Sequence, residues 1–183
     1  MNIHQLNVSH DERQDRLLLR LNTPNLQEFR FWLTRRMTMR LVPAIEQSAL
    51  RLEAAQPGVA AADAPTQQML GELKREAFLS HANFATPFKD QATQWPLGTE
   101  PLLVTDARLS IQAQGALELA FEDKSDPTQS KTCKMLLPLN LVHGMVHLIQ
   151  QASEKAQWRV VDITQQATAP DPSSPPTPPR YTH

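Results

Sequence analysis

The chain has one cysteine, Cys133, one tyrosine and five glycines in 183 residues. A single thiol excludes an intramolecular disulfide and any metal site built on clustered thiolates. The glycines, Gly58, Gly71, Gly98, Gly115 and Gly144, stand too far apart to build a phosphate-cradling loop. No run approaches the roughly 18–20 apolar residues of a membrane-spanning helix, and the opening MNIHQLNVSHDERQDR has no apolar stretch of secretory length. A formal net charge of −1 gives no bulk attraction to nucleic acid or to an anionic membrane. These absences are the pattern of a soluble cytoplasmic protein with no cofactor, no metal and no membrane partner.

What is present is a change of period. In Leu26 to Leu52, LQEFRFWLTRRMTMRLVPAIEQSALRL, a strand pattern becomes a helical one at Thr34. Phe29, Phe31 and Leu33 alternate with Glu28, Arg30 and Trp32, and then Met37, Leu41, Ile45 and Leu52 recur at helical spacing. Thr34 is the expected N-cap, and Pro43 predicts a kink near Met39 or a late start to the helix. Two strands precede this one, at 3–8 and at 16–21, the second with Leu17, Leu19 and Leu21 on one face and Leu18 on the other, and Asn22-Thr23-Pro24-Asn25 supplies the turn.

After a small-residue linker, a helix is expected over 66–82, with Met69, Leu70, Leu73, Ala77 and Phe78 on its buried side. Prolines make 84–101 irregular, with Phe84, Phe88 and Trp95 pinning that loop to the body. From Leu102 the order strand, strand, strand, helix returns. Leu109 and Ile111, then Leu117, Leu119 and Phe121, then Cys133, Met135 and Leu137 mark the strands, and Gln114-Gly115 marks a hairpin. Asn140 is placed to cap a helix carrying Leu141, Val142, Met145, Leu148 and Ile149. Setting Met37, Leu41 and Ile45 against Leu141, Met145 and Ile149 brings Phe29 opposite Cys133. The expected fold is α+β: one antiparallel sheet of about six strands in two β-β-β-α units, an internal duplication being one reading of them, with helices on one face. Residues 1–166 form the domain, its halves 1–56 and 102–158 joined by 57–101. A short strand or the end of the last helix is expected at 158–163. Residues 167–183, with six prolines between Pro170 and Pro179, read as a disordered tail.

Chemistry-bearing residues are few. His143 and His147 have the i, i+4 spacing of a metal pair, but Gly144 stands where the metalloprotease pattern has glutamate, and no third ligand is near in sequence. Two solvated or interface histidines are the preferred reading. Arg30, Arg35, Arg36 and Arg40, beside Trp32 and with Arg16 and Arg20 close by, form a basic cluster able to hold phosphates or stack on bases. Asp11, Glu12, Asp15 and Glu28 are placed to neutralise it. Cys133, between apolar strand positions, predicts a buried thiol, not a nucleophile. Asp106, Glu118 and Glu122 show no matched acid/base partner, so no catalytic residue is named. Pro175-Pro176-Thr177-Pro178-Pro179-Arg180 fits the pattern by which polyproline segments dock on aromatic grooves, although a solubilising tail is the simpler reading.

Asp15-Arg16-Leu17-Leu18-Leu19-Arg20 together with Glu28-Phe29-Arg30-Phe31-Trp32-Leu33-Thr34-Arg35-Arg36 resembles small uncharacterised cytoplasmic proteins of proteobacteria. The resemblance covers about the first quarter of the chain and implies a bacterial cytosolic setting with no assigned activity. The leading functional expectation is a non-enzymatic protein acting by protein–protein interaction, as a homodimeric adaptor or scaffold. Two meanders leave sheet edges to be paired, and Leu18, Trp32 and Leu136 lie on the second face of the sheet. The alternative is nucleic-acid or anionic-ligand binding through the arginine cluster and Trp32.

Overall fold

The computed structural model describes residues 3–56, 59, 63–82, 84, 86–126 and 128–158. The tail expected at 167–183, and all of the 158–163 segment after Trp158, lie outside these residues. The elements in order are β1 (Gln5–Asp11), β2 (Arg16–Asn22), β3 (Glu28–Thr34), α1 (Arg35–Ala54), α2 (Ala64–His81), β4 (Leu102–Leu103), β5 (Asp106–Gln112), β6 (Ala116–Asp123), β7 (Lys131–Pro138) and α3 (Leu139–Lys155).

Alternation sets the two meanders. Leu17, Leu19 and Leu21 of β2 face Leu33, Phe31 and Phe29 of antiparallel β3. In the same way Leu117, Leu119 and Phe121 of β6 face Leu137, Met135 and Cys133 of antiparallel β7. Leu17, Leu19 and Leu21 of β2, and Leu117, Leu119 and Phe121 of β6, are fully buried, as a sheet with one face turned to a core requires. Gly115, at φ 76°, makes the β5–β6 turn.

The α+β class stands, but the expected single six-stranded sheet is two sheets, ordered β1-β2-β3-β4 and β5-β6-β7. The cause is one extended segment that changes partner. β4 runs parallel to β3, and the Val104 amide still donates to Trp32 O at 3.0 Å, whereas the Thr105 amide donates to Glu122 O at 2.9 Å. Successive amides of an extended chain point to opposite sides, so this segment touches each sheet with one edge and never completes a ladder across both. Phe31 and Phe121 close the junction from inside, edge to face with centroids 5.1 Å apart.

The helices are exchanged between the halves. Besides the strand it follows, α1 packs on β5 and β6, and α3 packs on β1 and β2. Leu41, Val42, Ile45, Ala49 and Leu52 of α1 and Val142, Met145, Val146, Ile149 and Ala152 of α3 join both sheets in one apolar core. α1 and α3 run antiparallel, since Glu53 meets His143 while Glu46 meets Gln150. α2 lies outside, on α1 and α3.

Local expectations fare unevenly. Thr34 caps α1, its Oγ1 accepting from the Met37 amide at 3.2 Å. Pro43 neither delays nor ends that helix, which runs unbroken from Arg35 to Ala54; burial of the flanking Val42 and Ile45 outweighs the lost hydrogen bond. Asn140 is not the cap of α3. The helix begins at Leu139 after Pro138, and Asn140 accepts only from the next amide, Leu141, at 2.9 Å. No described helix is long and apolar enough to cross a membrane.

Removing the Phe121 ring opens the junction between the sheets. Phe121→Ala is expected to lower stability in urea unfolding by about 3–5 kcal/mol, whereas Leu136→Ala, on the open face of β7, should stay within about 0.5 kcal/mol of the parent.

Candidate functional site: a polar cleft between three helices

The apolar stripe of α1 runs Leu41, Ile45, Ala49 and then reaches Glu53 at the next helical repeat. Glu53 keeps 2% of its exposure and His143, opposite it on α3, keeps 8%. A carboxylate buried this deeply needs a partner, and His143 Nε2 lies 2.8 Å from Glu53 Oε1. Gly71 of α2 closes the pair from above: a methyl group at this position would overlap Glu53 Oε2. Glycine lets the α2 backbone settle where any side chain would displace the carboxylate.

Outside this pair a second polar row crosses the helices. Arg75 of α2 donates to Gln150 Oε1 at 3.4 Å, and Gln150 Nε2 donates to Glu46 Oε1 at 2.9 Å. Glu46, Leu50, Glu53, Glu72, Arg75 and His143 line a cleft of about 200 Å³. Leu50 is 44% exposed, and Met69 and Leu73, on the helix that forms one wall, are each 55% exposed. This corrects the expected orientation of α2. The helix is anchored by Gly71, Arg75 and Phe78 and leaves Met69 and Leu73 outside, because the glycine contact and not the widest apolar stripe decides which side can come closest.

Burial holds the His143 imidazole below its ordinary range; Glu53 pulls the other way without reversing it, and Arg75 adds to the lowering. His143 Nε2 and Glu53 Oε1 thus form a buried, hydrogen-bonded pair. Cys133 is buried, and burial pushes its thiol up to about 11, so it is no nucleophile at neutral pH. Glu122, buried on the outer face of the second sheet, is held by Arg108 and by Lys124 at 2.9 Å.

The remaining sequence candidates scatter. Of the two readings of the histidines, solvated or interface, the solvated one does not hold for His143, which is buried, and His147 stacks on Phe84 with centroids 4.7 Å apart. The histidines thus face different partners, and among the described residues no cluster of three or more His, Cys, Asp or Glu could hold a metal. Arg30 donates to the Thr99 carbonyl and lies 5.9 Å from the Trp95 ring centroid. Arg20 is taken by Glu28 at 2.6 Å and by Asp90, beneath the Phe88 ring. Arg35, Arg36 and Arg40 are exposed at the start of α1, and Trp32 is half-buried between Leu18 and Leu103 in the sheet register. Phe84 and Trp95 make ring contacts yet stay exposed, so the loop is held as much by arginines and backbone as by buried aromatic area.

Glu53, Gly71 and Arg75 were not among the sequence candidates. A charge continuing the Leu41, Ile45, Ala49 stripe was the available signal for Glu53; nothing local marks Arg75. In comparisons with family models, with curated proteins and with solved structures, nothing matches this chain.

The His143 shift has a sign that can be measured. The unfolded chain binds a proton near pH 6.5, while the folded chain waits for a lower pH, so stability is full above that value and falls as pH drops toward the folded pKa. Urea midpoints at pH 7.5 and 5.5 should fall for the parent, and the fall should be smaller for His143→Gln.

Proposed function

We propose that the protein is non-enzymatic and works by binding another protein chain, in the first instance a second copy of itself, through the α2 face. The observation that carries this is the pair Met69 and Leu73, successive turns of one helix, each 55% exposed, beside a cleft rimmed by Leu50. A cleft of about 200 Å³ is smaller than the roughly 300–1,000 Å³ of most small-molecule and cofactor sites. It matches one long side chain, the kind of anchor that dominates protein interfaces. Self-association fits the charges as well. α2 carries Glu72, Lys74, Arg75 and Glu76 beside the two apolar residues, so an antiparallel contact of two such helices sets acids against bases while covering Met69 and Leu73.

We also infer that the halves descend from one β-β-β-α unit. The alignment that sets Phe29 opposite Cys133 sets Glu46 opposite Gln150, and these two side chains hydrogen-bond to each other, as residues flanking a pseudo-twofold axis would.

Light scattering at micromolar concentration should show a dimer for the parent and a monomer for the double variant Met69→Glu, Leu73→Glu, with the urea midpoints nearly equal, since both positions are exposed. A parent that stays monomeric over the range removes the self-association reading. A second reading, anionic-ligand binding, is favoured by the exposure of Arg35, Arg36 and Arg40, for which no ion pair occurs among the described residues. It expects retardation of single-stranded oligonucleotides at low salt that weakens steeply as salt rises; a mobility unchanged at low salt rejects it.

A further inference from the structure

A second concavity, sharing no lining residue with the Glu53–His143 cleft, has an aromatic character. Phe78 near the end of α2, with Phe84 and Phe88 from the segment after it, lines a groove of about 200 Å³ against Leu141, Gly144 and Leu148 of α3. Gly144 gives that wall a smooth floor: a methyl there would lie 3.8 Å from the Phe78 ring and 3.9 Å from the Phe84 ring. The rings are held in place from behind, Phe84 by His147 at 4.7 Å and Phe88 by the Arg20 guanidinium at 4.3 Å. Phe84 nevertheless stays exposed. Asn7 and Asn140 on the rim add amide groups able to donate to a carbonyl.

Fixed aromatic rings with nearby amide donors are what a left-handed polyproline helix needs. Such a helix forms no internal hydrogen bonds, presents its carbonyls outward and is already extended before binding, so little conformational freedom is lost. The chain itself carries Pro175-Pro176-Thr177-Pro178-Pro179-Arg180. We propose that the Phe78–Phe84–Phe88 groove is a binding site for proline-rich segments and that its resident ligand is this segment of the same chain. Length selects the same chain over a neighbour. Pro175 stands 17 positions after Trp158, and a flexible connection of that length has a root-mean-square span of about 20–25 Å. From Trp158 back to Gly144 along α3 is roughly 20 Å at 1.5 Å per residue. A connector matched to its span gives an effective concentration on the order of millimolar, well above a second copy at micromolar concentration. The sequence motif thus has a receptor without any separate recognition domain.

The test compares amide NMR spectra of the full chain with those of a full-length variant in which Pro175, Pro176, Pro178 and Pro179 are all replaced by Gly. Differences are expected at Asn7, Leu141, Gly144 and Leu148 and not at Glu53 or Gly71. A synthetic peptide of residues 171–183, titrated into the variant, should restore the parental positions at high-micromolar to millimolar concentration, and should move nothing in the parent at the same concentration. Phe84→Ala in the variant should abolish the peptide's effect. Identical groove amides in parent and variant overturn the proposal. So does a dilution-dependent shift of the groove amides of Asn7, Leu141 and Leu148 that persists in the Met69→Glu, Leu73→Glu background, which would assign the groove to a second copy, or a peptide that shifts the parent as strongly as the variant, which would assign it to an outside partner. Since Met69 and Leu73 are not involved, failure here leaves the α2-face reading standing, and failure there leaves this one.

Discussion

One buried contact, His143 to Glu53, fixes the arrangement of all three helices. A carboxylate taken out of water without a partner is worth several kcal/mol of instability, so α1 and α3 can pack only in the register that brings His143 Nε2 to Glu53 Oε1, at 2.8 Å. α2 then has one place to go. Gly71 is the one buried residue of that helix, and it sits where a side chain would displace the Glu53 carboxylate. The requirement is directional in a way that the apolar core is not. Leucine against leucine tolerates a slide of one turn, whereas a hydrogen bond between two buried polar groups does not.

That register matters because the helices also hold the sheets together. With α1 lying on β5 and β6, and α3 lying on β1 and β2, each meander is covered by the helix of the other half. Neither sheet would have its apolar face closed by its own helix alone. The sheets meet through a two-residue strand, the amides of Val104 and Thr105 turned to opposite partners, and one aromatic pair. The antiparallel contact of α1 with α3 therefore carries much of the joining that a continuous ladder would otherwise supply.

The sequence made the strands and their faces legible because period two is written in local letters: Leu17, Leu19, Leu21 and Leu117, Leu119, Phe121 are buried as the alternation demands. The cap at Thr34 was legible for the same reason. Division into two sheets was not, since it depends on which neighbour accepts each amide of a short extended segment, and nothing in Leu102 to Thr105 records that. The orientation of α2 was misleading. Its apolar count favours the Met69 and Leu73 side, but the helix is placed by the residue with no side chain, and glycine contributes nothing to an apolar stripe. The Glu53–His143 site failed on both ends: His143 looked polar and exposed among Asn140, Gln150 and Gln151, and its partner lies 90 residues away. Of the basic cluster, Arg20 and Arg30 were drawn off by acids, a carbonyl and aromatic rings, and cross-strand neutralisation by Glu28 was the readable part.

α2 forms a wall of both concavities, through Glu72 and Arg75 on one side and Phe78 on the other. It is also the least buried of the three helices, with one buried residue against seven in α1 and eight in α3. Elements held by so little buried surface open at lower free energy than the core. What holds α2 in place is close approach at two points, Gly71 against Glu53 and the Phe78 ring beside Gly144, and not an apolar stripe. The position of α2 over Glu53 is set at Gly71, where a side chain would displace the carboxylate, and the Glu53–His143 bond defines that seat.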